Sequence, residues 1–189
     1  MELSTEEKVI LVTIARGSIE SLFKATDKII PDIEKHPVIK EQAGAFVTLT
    51  IRGRLRGCIG YIETDKPLYE TVADAAKQAA LNDPRFSPLT EKEFGETNLE
   101  ISVLSPLFKM NSYDEIEIGR HGLILEEGFH RGLLLPQVPI EHNMNKEQYL
   151  SALCEKAGLY SGYWKEKVLN INMFTANVFS EKELKENNE

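Results

Sequence analysis

One thiol lies between two glycines in Leu55-Arg56-Gly57-Cys58-Ile59-Gly60, immediately after Arg52-Gly53-Arg54. A cysteine works as a nucleophile in its thiolate form, and nearby guanidinium groups favour that form. Residues at i, i+2 and i+4 of an undisturbed strand share a face. That alternation places Arg54, Arg56 and Cys58 together, with Leu55, Gly57 and Ile59 opposite. Cys58 is thus a candidate nucleophile, Arg54 and Arg56 are candidate anchors for a small anionic substrate, and Gly57 and Gly60 leave room for a ligand or a second backbone. A bulge at either glycine would break the alternation. Unpaired cysteines on strands also commonly serve as small core residues.

Asp83-Pro84-Arg85-Phe86 supplies an acid, a base and an aromatic ring within four positions. As a turn, it would have Asp83 accepting from local amides and Arg85 pairing with a carboxylate. As part of a site, Arg85 would hold an anion beside the thiol, with Asp83 next to it. His121 completes the candidates, because a Cys58–His121 couple needs only proximity in space. His36, His130 and His142 occupy loop-like contexts, and no pair has the i, i+4 helical spacing of a zinc site. Phosphate-binding loops, dinucleotide fingerprints, serine-hydrolase elbows and radical iron–sulfur cysteine runs do not occur, so no cofactor or metal is implied.

The chain has 189 residues and a formal net charge of -8, which opposes bulk binding to nucleic acid or anionic membrane. Three of its 22 Lys and Arg residues nevertheless fall at Arg52, Arg54 and Arg56, so a local basic patch stands out. Cys58 and Cys154 form no disulfide framework. Residues 1–7 lack the basic-then-apolar order of a signal peptide. No apolar run approaches the roughly 18 residues of a membrane span. The expected location is the cytoplasm.

The elements that must position these residues follow from local spacing. Ser4 and Glu7 have capping-box spacing and predict a helix that ends before Pro31, with Val9, Val12, Ile19, Leu22 and Phe23 inside. Residues 46–51 and the hexapeptide predict a hairpin that turns at Arg52-Gly53. Pro67 opens a helix burying Leu68, Val72, Ala75, Ala76 and Ala79, which Asn82-Asp83-Pro84 stops. Strands are expected at 99–104 and 173–179, and a second hairpin at 122–125 and 132–135. Asn145 caps a helix with Gln148 at the reciprocal position and Gly158 after its end. The pattern is α+β: a mixed, largely antiparallel sheet with flanking helices, in one two-lobed domain spanning 1–180. Residues 181–189 read as a polar, disordered tail.

In order along the chain, these blocks resemble the AMMECR domain family. The resemblance runs through Phe46-Val47-Thr48-Leu49, Leu55 to Tyr61, Asp83-Pro84-Arg85-Phe86, Ser102-Val103-Leu104-Ser105-Pro106 and Ile118-Gly119-Arg120-His121-Gly122-Leu123-Ile124. It continues through Gly132-Leu133-Leu134-Leu135-Pro136-Gln137-Val138 and Cys154-Glu155-Lys156-Ala157-Gly158-Leu159. It implies a compact α+β fold with a larger and a smaller lobe around a cleft, and a functional site lined by Leu55 to Gly60. It also implies an accessory role beside a Memo-like protein and a radical S-adenosylmethionine enzyme. The alternatives are an enzyme using Cys58 as nucleophile on a small anion and, behind both, a nucleic-acid binder using the arginine strand.

Overall fold

The computed structural model describes residues 2–24 and 32–186. Its helices and strands, in chain order, are α1 (Thr5–Glu20), β1 (Ala45–Ile51), β2 (Arg54–Tyr61), α2 (Leu68–Leu81), α3 (Glu91–Phe94) and β3 (Thr97–Leu104). They continue with β4 (Phe108–Lys109), β5 (Gly122–Glu127), β6 (His130–Leu134), α4 (Val138–Glu141), α5 (Lys146–Lys156), β7 (Ile171–Phe174), β8 (Ala176–Ser180) and α6 (Glu181–Glu186). Two compact units result: one from the chain up to Leu104 together with the residues from Asn177 onward, the other from Ser105–Ala176.

In the first unit, four strands form a sheet in the order β2-β1-β3-β8, and β1 runs antiparallel to both β2 and β3. One face carries Val47, Leu49, Leu99 and Ile101, fully buried against Leu11 and Ala15 of α1 and Ala75, Ala76 and Ala79 of α2. The alanines leave α2 without bulk on this side, so its backbone can approach the sheet closely. α1 begins where its capping box requires: the Ser4 hydroxyl accepts the Glu7 N–H, and the Glu7 carboxylate accepts the Ser4 N–H. Its buried stripe uses Ile10, Leu11, Val12, Ala15 and Ile19. Val9, expected inside, is 38% exposed because the stripe is centred one residue later. The helix stops at Glu20, earlier than the sequence suggested, and Pro31 lies outside the described residues.

The second unit has its own four-stranded sheet, β4-β7-β5-β6, with antiparallel neighbours throughout. Leu123, Leu125, Ile171 and Met173 pack there against Tyr149, Leu150, Leu153 and Cys154 of α5. Asn145 and Gln148 form the expected capping box. At the other end of α5, Gly158 adopts φ +75°, its N–H reaches the Glu155 carbonyl, and the Leu159 N–H reaches that of Cys154. This is the Schellman arrangement.

The expected α+β, largely antiparallel architecture holds, and among the described residues its strands form two four-stranded sheets. The strand expected over 173–179 is divided between them at Thr175. There the Thr175 N–H donates to the Ser105 hydroxyl and its carbonyl accepts the Ser105 N–H, each at 2.9 Å. β7 ends before this exchange and β8 begins after it. Within 181–189, read as a polar tail, Glu181–Glu186 is helical, with Leu184 buried and Glu181 paired with Arg16 of α1. Among the described residues, no helix is long and apolar enough to cross a membrane.

Candidate functional site

The hexapeptide lies on β2, an outer strand of its sheet. Arg52 and Gly53 make the turn before it with φ of 52° and 76°. Two positive values in succession characterise the type I′ turn, whose twist matches that of a hairpin. Beyond the turn the register shifts. Thr50 pairs with Leu55, but Leu49 pairs with Gly57, so Arg56 has no partner on β1. This bulge overturns the expected alternation of Arg54, Arg56 and Cys58. Cys58 shares a row with Thr48 and Glu100, on the face away from α1 and α2. Arg54 pairs with Ile51, on the opposite parity.

Gly57 faces α2 with no room to spare. A Cβ added there would sit 2.2 Å from the Ala79 carbonyl oxygen. Backbone therefore rests on backbone, which only glycine permits. Four residues beyond Ala79, the Asp83 side chain crosses to the strand edge, where its Oδ2 accepts the Cys58 N–H at 2.8 Å. The Cys58 amide is thus spent outside the β1–β2 ladder. Cys58 and Thr48 consequently form a non-hydrogen-bonded pair, the kind whose side chains lie closest. The Thr48 hydroxyl donates to Sγ at 3.3 Å. Unpaired groups on an outer strand invite association with other chains, and a carboxylate covering one of them blunts that edge. Gly60 is equally constrained, because a Cβ would lie 2.3 Å from the Ala45 carbonyl oxygen and 2.4 Å from the Phe46 ring.

Asp83 is nearly sealed from solvent, its side chain 2% exposed. Its two oxygens accept the Arg85 N–H (3.1 Å), Arg85 Nε (2.9 Å) and an Arg85 terminal nitrogen (2.7 Å), besides Cys58. The Arg85 guanidinium, more than any other group, holds the Asp83 carboxyl far below the ordinary carboxylate range. The Cys58 thiol shifts the other way. Burial pushes its pKa up, opposed by the Thr48 hydroxyl and the more distant Arg85 charge, and assisted by Asp83 and Glu100. The half-buried sulfur is thereby kept in its thiol form.

Arg56 is turned from the thiol toward α3. Its guanidinium meets both oxygens of Glu93 at 3.0 and 3.1 Å and lies 5.8 Å from the centre of the Phe86 ring. Arg56 is the main reason that the Glu93 carboxyl falls to about 2. Arg54 is exposed, and among the described residues its side chain has neither a hydrogen bond nor an ion pair. His121 belongs to the second unit. Its Nδ1 accepts the Glu117 N–H at 3.1 Å, its ring meets Phe108 edge-on, and its carbonyl accepts the buried Tyr149 hydroxyl. Of the candidates, the structure brings together Gly57, Cys58, Asp83 and Arg85. Among the described residues, no three His, Cys, Asp or Glu side chains are placed to hold a metal ion.

Three further residues shape this region. Counting outward from the Arg52-Gly53 turn pairs Thr48 with Gly57, and only the bulge moves Thr48 opposite Cys58. Ala79 gives no sequence signal beyond its place on a buried face. Glu93 does: Thr90-Glu91-Lys92-Glu93 has capping-box spacing, and the box forms.

A family model described as AMMECR1 matches residues 12–179. Protein MJ0810 of Methanocaldococcus jannaschii is 44% identical over 190 residues, covering 96% of this chain and 93% of that protein. A Methanococcus aeolicus protein is 41% identical over 188 residues, covering 95% and 94%. The crystal structure of the uncharacterized protein PH0010 from Pyrococcus horikoshii superposes with a TM-score of 0.83 at 38% identity, covering 91% of this chain and 90% of that one.

Proposed function

The chain belongs to the AMMECR1 family, and on that premise we propose that it is a non-catalytic accessory protein of the cytoplasm. Its partners would be those the family resemblance implies, a Memo-like protein and a radical S-adenosylmethionine enzyme. One observation carries this reading: the groups that lie around Cys58 are engaged within the fold, and Arg54, which is unpaired, falls on the opposite parity of the strand. The sulfur accepts from Thr48, the Cys58 amide and Arg85 converge on Asp83, and Arg56 is bound to Glu93. A nucleophile requires the thiolate near neutral pH, whereas burial here favours the thiol. Two free thiols suit a reducing compartment. The nucleic-acid reading is weakened by the net charge of -8 and by the pairing of Arg52 and Arg56 with Glu96 and Glu93.

Affinity capture tests the proposal, with the full chain as bait and purified Memo-like and radical enzymes from the same host as prey. Retention of either at micromolar concentration is the expected result. If neither is retained, with or without the other present, the accessory role is wrong.

A further inference from the structure

The tip of the β1–β2 hairpin has features that the fold itself does not require. Arg52 occupies a left-handed turn position, φ 52°, where asparagine, aspartate or glycine is favoured and a long side chain is disfavoured. Its ion pair with Glu96, at 2.9 Å, involves a side chain 83% exposed, and pairs of that kind stabilise little. Leu55 is 42% exposed although it lies next to the core strand. The bulge carries Arg56 out of the ladder and aims it at Glu93. Backbone strain and bulges of this sort gather at functional sites.

These residues line one hollow of about 590 Å³, formed by Arg52, Arg54, Leu55, Arg56, Glu93 and Glu96 together with Ile51. The two glutamates meet two of the three guanidiniums. Arg54 is left as a positive charge with no acceptor among the described residues, on a chain whose net charge is -8. A cation beside exposed aliphatic carbon suits a carboxylate adjacent to an apolar side chain.

We propose that this hollow docks an acidic, leucine-bearing segment of a partner protein, with a carboxylate on Arg54 and an apolar side chain against Leu55 and Ile51. A protein segment fits better than RNA. A polyphosphate chain needs several cations along its length, whereas two of the three guanidiniums here are already paired, and the lining holds no aromatic ring on which bases could stack. The assignment does not depend on the identity of the partner, because it rests on the hollow alone.

Fluorescence anisotropy of the full chain tests it, with short labelled peptides in which leucine is flanked by glutamate or aspartate as the probe. Binding should weaken with added salt, and Arg54→Glu should weaken it about tenfold or more, since like charges across an interface are strongly unfavourable. The Arg54 side chain has no hydrogen bond or ion pair among the described residues, so this variant should melt with the parent. Arg52→Asn should raise the melting temperature by about 2–4 °C while reducing peptide affinity. The proposal is overturned if no acidic peptide binds, if Arg54→Glu binds as the parent does, or if single-stranded RNA displaces the peptide in an Arg54-dependent way.

Discussion

Gly57→Ala is expected to lower the free energy of unfolding by about 3 kcal/mol, the upper part of the range for forcing atoms into a filled interior. The added Cβ would meet the Ala79 carbonyl oxygen at 2.2 Å, well inside van der Waals contact. That oxygen belongs to the backbone of α2 and cannot rotate away as a side chain can. The helix must therefore lift from β2. Lifting it withdraws Asp83 from the strand edge, so the Cys58 amide should exchange with solvent faster than in the parent. Gly17→Ala is the control, because its Cβ would enter open space on α1. It should leave stability unchanged or slightly improved. Urea denaturation with hydrogen exchange makes both measurements. A Gly57→Ala protein as stable as the parent would mean that α2 does not rest on the strand there.

Asp83→Ala should cost about 3 kcal/mol near pH 7, the lower end for breaking a buried ion pair by deleting one partner. The deletion leaves the Cys58 N–H without its acceptor and frees the Arg85 guanidinium. Half of the Arg85 side chain is exposed, so water can recover that charge, which keeps the expected loss at the low end. The pH dependence has a definite sign. The folded-state pKa of Asp83 is depressed below its unfolded value, so its contribution is fully present above about pH 4. It is lost as the pH falls toward the folded-state value. The stability gap between parent and Asp83→Ala should therefore be constant from neutral pH down to about 5 and narrow below about 4. A gap that persists unchanged into strong acid, or no gap at neutral pH, would remove Asp83 as the tie between α2 and β2.

Features written in consecutive residues were legible before the structure. The capping boxes at Ser4 and Asn145, the turn at Arg52-Gly53 and the left-handed Gly158 all depend on groups a few positions apart. Features that depend on what a strand pairs with were not. The bulge at Arg56 arises between β1 and β2, and no spacing within 54–61 announces it, yet it decides which side chains face the thiol. Thr175 looks like any β-branched strand residue, and its exchange with Ser105 lies 70 positions away in sequence. Asp83 could be read as a turn carboxylate and does accept from Arg85, but its bond to the Cys58 amide spans 25 positions. The region around the hexapeptide was found from its residues. Its internal wiring required tertiary contacts.

The alkylation rate of Cys58 as a function of pH, followed by mass spectrometry of the peptide that contains it, probes the central claim most directly. Cys154, fully buried on α5, serves as an internal reference in the same digest. A sulfur whose pKa is raised by burial, with Thr48 bonded to it, should react slowly at neutral pH, its rate rising only at a higher pH than that of a free thiol. Rapid alkylation with a midpoint below about pH 7 would mean an activated thiolate, and the hexapeptide would then be a reactive centre rather than the seat of a helix.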